Sequence, residues 1–220
     1  MALVERVIKE NIGILTLNNL EKRNALSEAL VNELILGFDE FRKNKVPAVI
    51  LRTAEGAKVW SAGHDVKELP RTHRDPLGYF DPLEKVLRAV QKYPNPVIAM
   101  VHGSVWGGAC DLVLSCDLVV GDETSAFAIT PARLGLPYNV SGVLHFMNRV
   151  GLNIAKEMFF TADAIAAERA EHVGILNYLV PSGELMNFTM NLAKRIASRS
   201  TLSVAVIKEQ LRILSGARPI

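Results

Sequence analysis

The feature that most constrains this chain is an apolar strand that runs into a glycine corner and out into an apolar helix. Val97-Ile98-Ala99-Met100-Val101 is continuously apolar and fenced by Pro94 and Pro96. Residues 102–109 follow, with glycines at 103, 107 and 108, and then Cys110-Asp111-Leu112-Val113-Leu114-Ser115. A short apolar run between breakers reads as a strand buried on both faces, and the part after the glycines reads as the first turns of a helix. Glycine lets the backbone turn sharply and lets another molecule approach it. The first N–H groups of a helix have no internal acceptor and carry the positive end of its dipole. Such a junction serves as a plain tight connection or as a seat for an anion or a developing oxyanion.

The rest of the chain repeats that grammar. Residues 4–7 and 12–17 read as strands with Asn11 and Gly13 at the turn between them. Ser27 caps a helix carrying Leu30, Leu34, Phe38 and Phe41 at helical spacing. Residues 48–51 form another apolar strand, and residues 59–61 approach a second glycine corner, Ala62-Gly63-His64-Asp65-Val66. The stretch 70–80 is irregular and charged, which predicts a mobile loop. Asp81 and Pro82 open a helix bearing Leu83, Val86, Leu87 and Val90. Short strands are expected at 117–120, 126–129 and 175–180. Helical segments are expected at 143–150, 153–160 and 164–172, parted by Gly151 and Asp163, with two amphipathic helices at 183–199 and 202–214. No internal repeat is visible. Continuous rather than alternating apolar strands between helices imply an α/β fold with covered sheets, as one domain over residues 1–220.

Composition narrows the partners. The 220 residues are 49% hydrophobic and 22% charged, with a formal net charge of +2 and no basic block. Nothing points to nucleic acid or to a membrane surface. The two cysteines, Cys110 and Cys116, are six apart, which is neither a metal nor a redox spacing, so buried thiols and no metal are expected. With no signal segment and no apolar run near the ~20 residues of a membrane span, a cytoplasmic location is expected. Ser61, His64 and Asp65 include triad residue types, but one turn cannot give them relay geometry. Residues 103–108 do not have the spacing of a dinucleotide fingerprint.

The chemistry rests on the two corners. If their strands are neighbours, the N–H groups of His64 and Gly108 point at one spot and stabilise the enolate of a bound carbonyl. A donor of this kind is typically worth roughly 10²–10³ in rate.

Lys22-Arg23-Asn24-Ala25-Leu26, Ser61-Ala62-Gly63-His64-Asp65, Gly103-Ser104-Val105-Trp106-Gly107-Gly108-Ala109 and Cys116-Asp117-Leu118 resemble the crotonase (enoyl-CoA hydratase/isomerase) superfamily. The resemblance runs from the first strand to the last helix. It implies a crotonase-like spiral of ββα units, with a core over about 1–180 and C-terminal helices over 181–220. It also implies homo-trimers or hexamers and an acyl-CoA thioester as substrate, with CoA part of that substrate and no separate cofactor. The thioester oxygen is expected on the N–H groups of His64 and Gly108. Lys22, Arg23, Ala25, Ala62, Gly63, Asp65 and Val66 are expected along the CoA, and Thr130, Pro131 and Tyr138 around the acyl group. Family members run on through further helices, so for a chain stopping at Ile220 the expectation is an incomplete sequence, a site covered by a neighbour, or a more open site.

Two positions choose the reaction. Hydratases of the superfamily carry two glutamates, which would fall at Asp111, a shorter carboxylate, and at Pro131, which cannot titrate. Addition of water needs positioned proton carriers. Decarboxylation needs an electron sink instead, and a glutamate at 131 would repel a malonyl-type carboxylate by about 4 kcal/mol at ~4 Å and an effective dielectric near 20. The motifs, together with Arg74-Asp75-Pro76-Leu77, Leu134-Gly135, Pro137-Tyr138-Asn139 and Val173-Gly174-Ile175-Leu176-Asn177, resemble the decarboxylating branch. That implies loss of CO₂ from methylmalonyl-CoA to give propionyl-CoA, with Tyr138 orienting the leaving carboxylate. The alternatives are hydration or isomerisation of another acyl-CoA, and non-catalytic acyl-CoA binding or scaffolding. Asp111 reads equally as a first-turn carboxylate favoured by the helix dipole, and Tyr138 as a core residue with a satisfied hydroxyl.

Overall fold

A computed structural model describes residues 2–68 and 78–216. Strands β1 (Val4–Lys9) and β2 (Ile12–Leu17) form an antiparallel hairpin. Its turn uses Glu10 and Asn11, both at positive φ, as a two-residue hairpin turn demands. Gly13 therefore lies inside β2 rather than in the turn; a Cβ there would meet the Phe41 ring at 2.5 Å. Helix α1 (Glu28–Lys43) starts where expected, with Ser27 Oγ accepting from the N–H of Leu30 at 3.4 Å.

The chain then coils. Strand β3 (Val49–Thr53) passes to β4 (Val59–Ser61) and α2 (Pro82–Gln91); β5 (Val97–Val101) passes to β6 (Ser104–Trp106) and α3 (Gly108–Ser115); β7 (Leu118–Gly121) passes to β8 (Ala126–Ala128) and, through a 3-10 turn, to α4 (Val140–Thr161). Strands β3, β5 and β7 lie parallel in one sheet, ordered β1-β2-β3-β5-β7-β10, where β10 is Tyr178–Leu179. Strands β4, β6 and β8 lie parallel in a second, smaller sheet, closed by β9 (Ile165–Ala166) running antiparallel to β8. The first coil has only the single bridge Leu26↔His64 in place of a second strand. Each ββα coil is thus a structural repeat with no repeat in sequence, because the repeat is one of hydrogen-bond ladders rather than residue types.

The coil changes one expectation. Between Val101 and the helix at Gly108 the chain does not simply turn; it leaves the first sheet at Gly103 (φ +72) and adds β6 to the second. A Cβ on Gly103 would meet the Lys58 carbonyl oxygen at 2.5 Å. Residues 165–166, expected to be helical, pair with β8, and α5 (Ala167–His172) begins after them. Helix α4 is two helical segments meeting at a kink at Gly151 (φ 74, ψ 168), where the break is expected. Most of the stretch 70–80, and Arg74-Asp75-Pro76-Leu77 with it, lies outside the described residues.

The large sheet is buried on both faces, which is why its strands read as unbroken apolar runs. Leu15, Leu51, Ala99 and Val119 face the helices α1 to α3. Ile14, Ile50, Ile98 and Val120 face α6 (Leu185–Ala197), which packs Leu185, Met190, Leu192 and Ala193 on them. The last helix, α7 (Thr201–Gly216), is anchored by Lys208, whose Nζ donates to Asp117 Oδ2 at 2.7 Å and to the carbonyls of Asn95 and Val90. Among the described residues no helix is long and apolar enough to cross a membrane.

Candidate active site

The two glycine corners lie side by side because β4 and β6 are neighbours in the small sheet. Gly63 (φ +86) and Gly107 (φ +51) turn the chain at the end of each strand. A Cβ on Gly63 would come 3.2 Å from the nitrogen of Gly108, and a Cβ on Gly108 would come 3.6 Å from the nitrogen of His64. The corners therefore touch at the backbone. Among the described residues neither of these N–H groups has a protein acceptor. Gly108 opens α3, and its predecessor caps the helix without a side-chain hydrogen bond. Two free donors at one place, one of them on a helix N-terminus, can hold an oxygen that gains negative charge.

The loop 22–25 is strapped to the first corner. The N–H of Ala62 donates to the Arg23 carbonyl at 2.9 Å, and that of Leu26 to the Gly63 carbonyl at 2.8 Å. Asn24, which sequence reading passes over, is the strap's buried core. Its amide donates to Thr53 Oγ1 and to the Trp60 carbonyl and accepts from the N–H of Asn19. Lys22 and Arg23 are exposed and Ala25 half-buried beside the corner. Asp65 caps the next turn by accepting from the N–H of Lys67 at 3.0 Å, and Ala62 and Val66 are exposed.

The imidazole of His64 turns away from its own N–H. Nε2 donates to the Asp81 carboxylate at 3.1 Å, and Nδ1 lies 3.0 Å from the Asp65 carbonyl oxygen. Both neighbours only accept, so the ring fits as an imidazolium. Burial lowers its pKa, but the Asp81 hydrogen bond and charge, with the Asp65 carbonyl, raise it above the ordinary value overall. Asp81 also caps α2 by accepting from the N–H of Leu83 at 2.8 Å. Sequence reading found that cap but not its second partner 17 residues upstream.

Thr130 follows β8 and reaches the second corner: a Cβ on Gly107 would sit 3.4 Å from Thr130 Oγ1; Pro131 opens the 3-10 turn after it. Tyr138 packs edge-on against Phe159 and Phe146, at 5.0 and 6.2 Å between ring centres. Its hydroxyl is buried without a hydrogen-bond partner among the described residues. Burial, then the Asp111 charge, pushes its pKa well above that of an ordinary phenol. The hydroxyl is turned to Asp111, whose carboxylate adds to burial in raising the phenol pKa, without a well-formed hydrogen bond to it or to another described group.

Asp111 is buried one turn into α3, three residues after Gly108. Its Oδ1 accepts from His145 Nδ1 at 2.6 Å, and its Oδ2 has no partner among the described residues. His145, on α4, is the residue sequence reading missed, since nothing in the local pattern links positions 34 apart. Cys110 and Cys116 are buried free thiols that donate to backbone carbonyls; burial pushes the Cys116 thiol up to about 12.

Comparison with known proteins agrees over nearly the whole length. The methylmalonyl-CoA decarboxylase of Escherichia coli (strain K12) is 44% identical over 214 residues, covering 97% of this chain and 82% of that protein. A probable mitochondrial enoyl-CoA hydratase of Dictyostelium discoideum is 32% identical, covering 91% of this chain and 72% of its own. A solved structure of methylmalonyl-CoA decarboxylase in complex with 2-nitronate-propionyl-CoA superposes with a TM-score of 0.96 at 43% identity, over 99% of this chain and 84% of that one. Another, complexed with 2S-carboxypropyl CoA, gives 0.97 at 42%, over 100% and 84%. Residues 7–215 match the enoyl-CoA hydratase/isomerase family model, and the chain belongs to that family.

Proposed function

We propose that this chain decarboxylates methylmalonyl-CoA to propionyl-CoA. The observation that carries the reading is the pair of unengaged N–H groups, His64 and Gly108, at touching glycine corners, with Thr130, the residue before Pro131, beside the second corner. The thioester oxygen accepts from both amides. The carboxylate is held out of the thioester plane against Thr130, Pro131 and the Tyr138 hydroxyl. The C–C bond to the carboxylate breaks, CO₂ leaves, and the bonding pair enters the thioester as an enolate whose charge the two amides stabilise. The α-carbon then takes up one proton. Lys22, Arg23, Ala25, Ala62, Gly63, Asp65 and Val66 border the CoA. The E. coli relative and the two ligand complexes support the substrate class.

A panel of acyl-CoA thioesters, scored by mass for CO₂ and product, tests this. Loss of CO₂ from methylmalonyl-CoA is expected; hydration of crotonyl-CoA without it overturns the reading. One observation favours the hydratase reading as the second: Asp111 keeps a carboxylate one turn from the corner, though position 131 offers no second carrier. We also propose assembly as a homotrimer or a dimer of trimers in the cytoplasm. The apolar side chains Leu202, Leu211 and Leu214, exposed on α7, support an assembly. Light scattering is expected to return a multiple of three chains.

A further inference from the structure

The enolate needs a proton, and the residues at the acyl end include one carboxylate whose two oxygens are unlike. Asp111 Oδ1 is engaged by His145; Asp111 Oδ2 is buried and unpartnered. That oxygen, Asn139 Oδ1 and the Tyr138 ring gather around Gly142: a Cβ there would sit 2.7 Å from the Asp111 oxygen, 2.6 Å from Asn139 Oδ1 and on the Tyr138 ring. A buried carboxylate oxygen without a partner is costly, and is kept where it has work to do.

His145 stands between that carboxylate and solvent. Its Nδ1 meets Asp111 at 2.6 Å, and its Nε2 lies 2.9 Å from Gln91 Nε2. A quarter of its side chain is exposed, against 1% for Asp111. The exposed part lines a cavity of about 450 Å³ between α3, α4 and α7, with Ser115, Asn148 and Lys208. Gln91 suits both charge states of the ring: its amide nitrogen donates to a neutral Nε2, and a flipped amide presents its oxygen to a protonated one.

We infer that His145 is a positioning residue that holds Asp111 and reloads it with the proton the enolate takes up. The inference rests on the decarboxylation reading. The Asp111–His145 pair shares one proton across its 2.6 Å contact, gives it to the α-carbon of the enolate through Asp111, and is left as a carboxylate and a neutral imidazole. A proton from solvent in the cavity then restores the imidazolium, so one proton is consumed for each CO₂ released. Burial alone would discharge the ring, but the Asp111 hydrogen bond and charge, with Glu84 behind them, raise its pKa above the ordinary value. The charged groups on the cavity side are Asp117 at the end of α3, Arg149 on α4, and Lys208 and Arg212 on α7; Lys208 is spent on Asp117.

H145Q separates holding from reloading, because glutamine can donate to Asp111 but does not titrate near neutrality. Wild-type kcat on methylmalonyl-CoA is expected to fall as pH rises through the raised His145 pKa. In H145Q kcat is expected to drop about 10²-fold, the lower end of what a positioned proton carrier contributes. KM should stay within about twofold and the basic limb of the profile should vanish. H145A should regain turnover with added imidazole, which the cavity admits. A folded H145Q enzyme with wild-type kcat, or with the basic limb intact, overturns the role of His145 while leaving the decarboxylation standing. A wild type that releases no CO₂ overturns the reading beneath it and this inference together.

Discussion

The two ends of the site are built from different materials. The oxygen-binding end is made of main chain: two amides at glycine corners, fixed by the β4/β6 pairing and by the strap from Arg23 and Leu26. The acyl end is made of side chains, Asp111, Tyr138 and His145, drawn from three segments and leaving Asp111 Oδ2 and the Tyr138 hydroxyl unengaged. Backbone donors survive nearly any side-chain exchange at their own positions, so they suit the step that a whole family shares. Side chains exchange freely, so they suit the choice of reaction. Asp111, one of the two positions where a hydratase of the family is expected to carry a glutamate, belongs to that side-chain end.

The largest expected effect breaks the main-chain end. Proline is favoured at the first residue of a helix, and Gly108 holds that place in α3. G108P deletes the donor and puts its ring Cδ where the amide hydrogen pointed; its Cβ meets the tip of the Leu83 side chain, which can shift. Its kcat should fall roughly 10²–10³-fold, with circular dichroism verifying the fold. Y138F attacks the acyl end. It should lower kcat about tenfold, the kind of loss one hydrogen bond to a charged group explains at about 1.4 kcal/mol. It also removes a buried hydroxyl with no protein partner, so its Tm should stay level or rise. A falling Tm together with unchanged turnover would return Tyr138 to the core.

D81A sharpens the contrast from outside both ends. It removes the cap of α2 and the partner of the His64 ring while leaving the His64 N–H in place. Stability in urea should drop by about 1–2 kcal/mol, and kcat should change little. The pair also fixes a pH dependence. The folded pKa of His64 is raised above its usual 6.5, so its contribution is complete below that value and is lost as pH rises through the folded pKa. Urea midpoints of wild type and D81A should therefore converge on the alkaline side. The smallest effect is expected from K22A and R23A, exposed side chains beside the strap. Each should raise KM for the CoA thioester about two- to threefold, and less so in high salt.

What could be read in the residues divides along the same line. The Ser27 and Asp81 caps, the apolar strands and the glycine corners are local signals, carried by residues within four positions of one another, and the structure places them as expected. The three-residue strand β6 is too short to show any periodicity, so the passage of Val101 into it reads as a mere turn. The Asp111–His145 and His64–Asp81 pairs join positions 34 and 17 apart. Nothing in one strand or helix announces its partner on another. Asn24 is legible only as part of a polar loop, since its burial depends on Thr53 and Trp60 arriving around it.

Successive coils place their corners on adjacent rungs of the small sheet. Neighbouring strands in any sheet stand about 4.8 Å apart. The gap between the two amides is therefore a lattice constant of the ladder, inherited by winding the chain once more around. Such a scaffold acquires a paired clamp for an oxygen atom from its pitch alone, before a single reactive side chain has been chosen.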